Sequence, residues 1–195
     1  MKRFIKIGLP ICCLLALYLF LNSLRINAKR EQLRLEREKL ALNFVNHMNS
    51  AQQKYFNKHQ KFADSLEELG LNAPRFKILK FEYTLGPIPV MFAGEEIAKC
   101  VKHRFYIKES SGSQVLNYAK VQSPGCEITE HYYTNYIGGV FAVNLENKTS
   151  TDNMIKFKYV TIICEYSQDF SSPRYDYERD EASCGSVGTK VTSKN

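Results

Sequence analysis

The sequence predicts an α+β fold, one long N-terminal helix packed on an antiparallel β-sheet. Three observations predict it. Ala28 to about Asn57 runs without proline or glycine. Beyond Pro74 the chain breaks into short segments in which apolar and polar residues alternate. Those segments are joined by short polar links, which favour antiparallel neighbours.

The first element is helical by periodicity. Stepping by three and four from Leu33 meets Arg37, Leu40, Phe44, Met48, Ala51 and Tyr55, and all but Arg37 are apolar or aromatic. Such a stripe marks one buried helix face. The stripe is expected to cover one face of the sheet; the sharper alternative is a docking face for a partner helix. Arg34 can pair with Glu38, and Glu36 with Lys39, at helical spacing. A second short helix is predicted over Asp64–Leu69, with Asp64 or Ser65 as its N-cap and Gly70 as its stop.

The strands follow by period two. Leu79, Phe81, Tyr83 and Leu85 alternate with Lys80, Glu82 and Thr84, so one face is buried and one is wet. Further strands are predicted over Val101–Lys108, Val115–Val121, Tyr136–Asn144 and Ile155–Glu165. Val160 to Ile163 suits a central position. Turns fall at Ser110–Ser113, Ser123–Gly125 and Glu146–Asn153. From Ser167 the chain is polar and reads as loop. The expected organisation is a basic leader and membrane anchor over 1–27 and one globular domain over 28–195. Within that domain, 28–71 is helical, 72–166 forms the sheet and 167–195 is a disulfide-bounded tail.

The N-terminus predicts a membrane tether. Lys2, Arg3 and Lys6 precede the apolar run LPICCLLALYLFL, Leu9 to Leu21. Extended to Ile26, a helix of about 18 residues is roughly 27 Å long, just enough to span a bilayer. A cleaved signal peptide is the rival, but the small-x-small cleavage pattern is poor. Cys12 and Cys13 lie inside the run and act there as small hydrophobes. Cys100, Cys126, Cys164 and Cys184 lie in the domain and allow three pairings. Chain order favours Cys100–Cys126 and Cys164–Cys184, as expected in an oxidising compartment. The cysteines therefore place the domain outside the cytoplasm, in a periplasm, a lumen or at the cell surface. The count of flanking cations leans the other way, but those beyond Arg25 are mixed with Glu31, Glu36 and Glu38.

Chemistry-bearing patterns are few. Cys100-x-x-His103 with Cys126 and His131 has zinc-like residue types, but on strands and a loop rather than a knuckle. Asp176, Glu178, Asp180 and Glu181 are oxygen-rich, but lack the turn glycine of a calcium loop and share it with Arg174 and Arg179. Lys99, Lys102, Arg104 and Lys108 flank Phe105 and Tyr106, a mixture able to grip single-stranded DNA. Strand alternation instead makes Phe105 core and the cations a wet face. No nucleophile elbow, zincin helix or phosphate-binding loop occurs in the sequence. No catalytic residue, cofactor, metal or small-molecule substrate is expected, and nucleic acid is not the expected partner.

The stretch Met48-Asn49-Ser50-Ala51-Gln52-Gln53-Lys54-Tyr55-Phe56, followed by Lys61-Phe62-Ala63-Asp64-Ser65-Leu66-Glu67-Glu68-Leu69-Gly70-Leu71, resembles cyanobacterial type IV pilins. It is most similar to their pilin-like G/H family. Tyr136-Ile137-Gly138-Gly139-Val140-Phe141 and Thr161-Ile162-Ile163-Cys164-Glu165 extend the resemblance to about Leu42–Glu165. It implies a long helix against an antiparallel sheet, a disulfide-bounded C-terminal region and other subunits as partners. It also implies a leader ending at Gly8 and a cut before Leu9. There the chain departs from the family, because Pro10 follows and Cys13 stands where a pilin carries glutamate. The function read from this is a membrane-anchored, non-enzymatic structural or interaction protein, an atypical minor pilin. The alternatives are an accessory subunit of a larger membrane complex and an extracytoplasmic DNA-binding module.

Overall fold

A computed structural model of the chain describes residues 5–74, 84–85, 88–89, 102–108, 110–122, 134–144, 157–166, 172–185 and 188–191. The chain divides into two compact units, Met1–Glu38 and Lys39–Asn195. Helix α1 (Ile5–His59) contributes to both.

In the first unit α1 changes chemistry along its length. Leu14, Leu15, Leu17, Tyr18, Leu19, Phe20, Leu21 and Leu24 are exposed, with no polar face between them. Asn22 and Ser23 interrupt this run, and Arg25 follows. Among the described residues no helix is long and apolar enough to cross a membrane. The expected span begins at Leu9, and the side chains of residues 1–13 lie outside the described residues. Farther on, charged side chains support the helix. Arg34 donates to Glu31 at 2.9 Å and to Glu38 at 3.0 Å, and Glu36 accepts from Gln32 at 3.2 Å. The Arg34 hydrogen bond holds the Glu31 carboxyl below its usual range.

In the second unit α1 stops at a residue-level signal. Gln60 has φ 54°, and its N–H donates to Phe56 O at 2.8 Å, closing the last turn in the left-handed manner usual for glycine or asparagine. The next segment corrects the expected short helix, since residues 64–70 form turns. Both end signals are present. Glu68 N donates to Ser65 Oγ at 3.2 Å, and Asp64 N donates to Glu68 Oε2 at 3.0 Å. At the other end Gly70 (φ 66°) donates to Glu67 O and Leu71 donates to Leu66 O, both at 2.9 Å. With an N-cap at Ser65 and a stop at Gly70, too few residues lie between for an α-helical ladder.

Among the described residues nine strands follow: β1 (Thr84–Leu85), β2 (Ile88–Pro89), β3 (Lys102–Lys108), β4 (Gln114–Gln122), β5 (Asn135–Asn144), β6 (Phe157–Tyr166), β7 (Arg174–Asp176), β8 (Glu181–Ser183) and β9 (Thr189–Lys190). The main sheet has the order β3-β4-β5-β6-β9, with every pairing antiparallel. β3 to β6 fall where the alternation predicts them. Of the strand predicted over Leu79–Leu85, Thr84 and Leu85 are strand, and the rest lies outside the described residues.

The tail is the second correction. It is not loop: β7 and β8 form a hairpin, and β9 joins the main sheet beside β6. Strands of two and three residues carry too little alternation to be read from sequence. The hairpin belongs to a third layer. Leu116, Tyr118, Ile137, Phe141, Ile162, Cys164 and Tyr166 of the sheet cluster with Ala182 and Cys184, and Tyr175 packs on them. On the opposite face Ala41, Val45 and Met48 of α1 pack with Phe105, Ala119 and Tyr136, and Phe56 packs with Val115, Val140 and Ala142. β5 is thus covered on both sides, which is why residues 135–142 are all buried.

Candidate functional site

The helix–sheet interface is apolar except at a few buried amides. The helix residues most deeply buried against the sheet are Ala41, Val45, Met48, Asn49, Gln52 and Phe56. This line lies about one residue, or 100°, from the expected stripe. Of that stripe, Met48 is buried, while Leu33, Phe44, Ala51 and Tyr55 are half-buried. Leu40 is 44% exposed. Phe44 meets Phe105 edge-on at 4.6 Å, and Tyr55 stacks on His59 at 4.3 Å. Asn49 and Gln52 are the residues that apolar periodicity passes over, because both are polar.

Their work is specific. Asn117 Nδ2 on β4 donates to Asn49 Oδ1 at 2.8 Å, and Asn49 Nδ2 donates to Ile162 O on β6 at 3.4 Å. One helix side chain thereby reaches two strands that flank β5. Between them Gly138 leaves the necessary room, because a Cβ there would lie 2.4 Å from Asn49 Oδ1 and 2.6 Å from Val45. Gln52 accepts from Ala63 N at 2.9 Å and donates to Ala63 O at 3.0 Å, tying the post-helix segment to the helix. At the top of the sheet Asn135 Oδ1 accepts from Val121 N at 2.8 Å, and Asn135 Nδ2 donates to Tyr166 O at 3.4 Å.

The outer layer is held covalently. Cys164 and Cys184 form the disulfide expected of them, with Cα atoms 5.6 Å apart. Tyr166 adds a hydrogen bond from its hydroxyl to Cys184 O at 2.9 Å. Cys100 and Cys126, the other expected pair, lie outside the described residues. His103 is buried, and its Nε2 is 3.0 Å from Thr134 O; the remaining members of the zinc-like pattern lie outside the described residues.

Two exposed features remain. The first is the outer face of β3 and β4. Arg104 and Lys108 project there with Tyr106, while Phe105 is buried on the helix side. Tyr106 stacks flat on Tyr118 at 5.0 Å, and Arg104 lies 5.9 Å over the Tyr106 ring. Burial raises the Tyr106 hydroxyl above its ordinary pKa despite Lys108 and Arg104 nearby. Lys102 is opposite Gln122 in the β3–β4 register; Lys99 lies outside the described residues. The second is the tip of the β7–β8 hairpin, where Asp176 Oδ1 caps the turn by accepting from Glu178 N at 2.9 Å and Arg179 N at 3.2 Å. Asp180 accepts from both Lys158 and Tyr175. Those bonds lower the Asp180 pKa, and the bond to Asp180, with burial, pushes Tyr175 up to about 12. Neither feature assembles a nucleophile with a base.

The model of the family described as type IV pilin-like G and H matches residues 38–185. No curated protein and no solved structure matches the chain.

Proposed function

The chain belongs to the type IV pilin-like G and H family, and from that premise we propose that it is a non-enzymatic structural and interaction protein held at a membrane, an atypical minor pilin subunit. Membership of this family supports a structural rather than enzymatic role and an extracytoplasmic domain. The observation that carries the proposal is the extent of the match, which covers α1 from residue 38 onward, the main sheet up to β6 and the disulfide-held layer. The Cys164–Cys184 disulfide supports an oxidising compartment. The block at Met48–Leu71 supports a cyanobacterial source, and its Gln52 and Ser65 have structural roles in this fold.

Membrane attachment is part of the same proposal. It is supported by the apolar run from Leu9 and by the exposed leucines and aromatics over residues 14–24, a composition that suits lipid better than water. Subunit contact is supported by exposed Leu35 and Leu40 farther along α1.

The mature N-terminus of the protein from its native membrane tests this reading by mass spectrometry. Leu9 as first residue is the result of prepilin processing, and Met1 is the result of a plain anchor. A start near Lys29, with the protein in the soluble fraction, contradicts membrane attachment.

A further inference from the structure

Charge is unevenly distributed along the first unit. Residues 1–30 contain six cations, Lys2, Arg3, Lys6, Arg25, Lys29 and Arg30, and no carboxylate. Residues 31–39 contain three of each sign, Glu31, Glu36 and Glu38 with Arg34, Arg37 and Lys39, so they carry no net charge. That second stretch is also paired in space. Arg34 grips both oxygens of Glu31, at 2.9 and 2.5 Å, and donates to Glu38 at 3.0 Å. The first carboxylate in the sequence is thus committed to a cation one turn farther along α1. The cations at 25–30 have no acid before or among them.

Helix geometry sets these charges against the layers of a bilayer. α1 is continuous through this region, and its leucines and aromatics over residues 14–24 are exposed. That surface suits hydrocarbon. Arg25 comes directly after Leu24, and residue 30 lies about 8 Å farther along the axis at 1.5 Å per residue. A headgroup layer is about 5–7 Å thick on each side of the hydrocarbon. Residues 25–30 therefore fall at headgroup level when residues 14–24 lie in hydrocarbon. Arg25 is exposed, and side chains on a helix lean toward its N-terminus, which here is the hydrocarbon side. Its guanidinium is the group that matches a phosphate with two parallel hydrogen bonds. Lys29 already takes part in an interaction within the protein, so Arg25 carries the site and Lys29 adds only to its charge.

We propose that residues 25–30 bind the headgroups of anionic phospholipids, with the Arg25 guanidinium on a lipid phosphate, and that this contact selects the lipid around the tether. The site rests on the membrane-held reading above and gives it a lipid partner. A zwitterionic headgroup offers the same phosphate but brings its own cation. An anionic headgroup brings none, so the choice between them is electrostatic. Each cation near an anionic surface strengthens binding about fivefold, and the effect fades over about 8 Å at physiological salt. The balanced charges beyond Glu31 add nothing to it.

The test uses the full-length chain in detergent, offered phosphatidylglycerol and phosphatidylcholine together, with the retained lipids counted by native mass spectrometry. Sedimentation with vesicles of phosphatidylcholine alone is measured beside it. The wild type retains phosphatidylglycerol in preference, and salt weakens that preference. Arg25→Gln lowers it about fivefold, the triple change Arg25→Gln, Lys29→Gln and Arg30→Gln lowers it further, and Arg25→Lys keeps part of it. Glutamine is as good a helix former as arginine, so α1 survives these changes. Lys39→Gln removes one charge from the balanced stretch and leaves the preference unchanged. Equal retention of the two lipids by the wild type, or a preference that the triple variant keeps, overturns the site. So does an equal loss in Lys39→Gln, which assigns the effect to net charge, and so does displacement of the lipid by inorganic phosphate, which assigns it to a free anion. In each of these cases a chain that still sediments with phosphatidylcholine vesicles leaves membrane attachment standing. A chain that sediments with no vesicle overturns attachment and the site with it.

Discussion

Gly138 shows how one residue sets the helix on the sheet. It lies in the middle of β5, under Asn49 and Val45, where any side chain meets atoms already in place. Gly138→Ala is expected to push the helix off the sheet locally and to destabilise the fold by about 1–3 kcal/mol, the usual cost of overpacking. Chemical denaturation of the full-length protein measures it, and an unchanged midpoint speaks against this packing. The Gly138-Gly139 pair is plain in the sequence, but its reason is not. It depends on Asn49, 89 positions earlier. The hairpin tip makes a second residue-scale prediction. The Asp180 carboxyl titrates below its ordinary value, so its contribution is present above about pH 4 and is lost as the pH falls through the lowered pKa. Tyr175 titrates above its ordinary value, near 12. Its contribution is therefore present below about pH 10 and is lost as the pH rises toward 12. Ultraviolet titration is expected to show a tyrosine ionising near 12 whose pKa returns toward 10 in Asp180→Asn.

At the scale of elements, the legible parts are those with enough residues to show a period. The helix over 28–57 and strands β3 to β6 follow from spacing alone, because each runs long enough for its buried side to repeat. The buried line of the helix does not follow, because Asn49 and Gln52 sit where a reader of apolar spacing expects hydrophobes. Both are buried because the backbone at Ala63 and Ile162 supplies their hydrogen bonds. The turns at 64–70 are read as a helix for the converse reason. Cap residues are present at both ends, and only their closeness denies the helix its length. The third layer is the least legible, with strands of three residues held by a disulfide and by Tyr166. Replacing Cys164 and Cys184 with serine opens a sequence separation of 20, worth about 3 kcal/mol in the chain-entropy model. The expected outcome is faster amide exchange over residues 172–185 and dye binding at the uncovered Ile137 and Phe141, with residues 41–56 of α1 still protected. Equal exchange rates with and without the disulfide contradict the role assigned to it.

For the whole molecule, the family, the α+β architecture and the Cys164–Cys184 bridge form one consistent picture of a pilin-like domain. The candidate site is less legible than the fold, because it is a set of surfaces rather than a catalytic constellation. Arg104 and Lys108 show in the sequence as cations on a strand. The placement of Arg104 directly opposite Lys120 emerges only from the strand register. The central claim concerns placement: a domain held outside the cytoplasm on an N-terminal tether. Protease added to intact cells, followed by fractionation and peptide mapping, tests it most directly. The expected result is a chain that sediments with membranes through a high-salt wash, with peptides from residues 39–195 removed by added protease while the N-terminal segment stays membrane-bound. A domain protected in intact cells and digested only after lysis would contradict it.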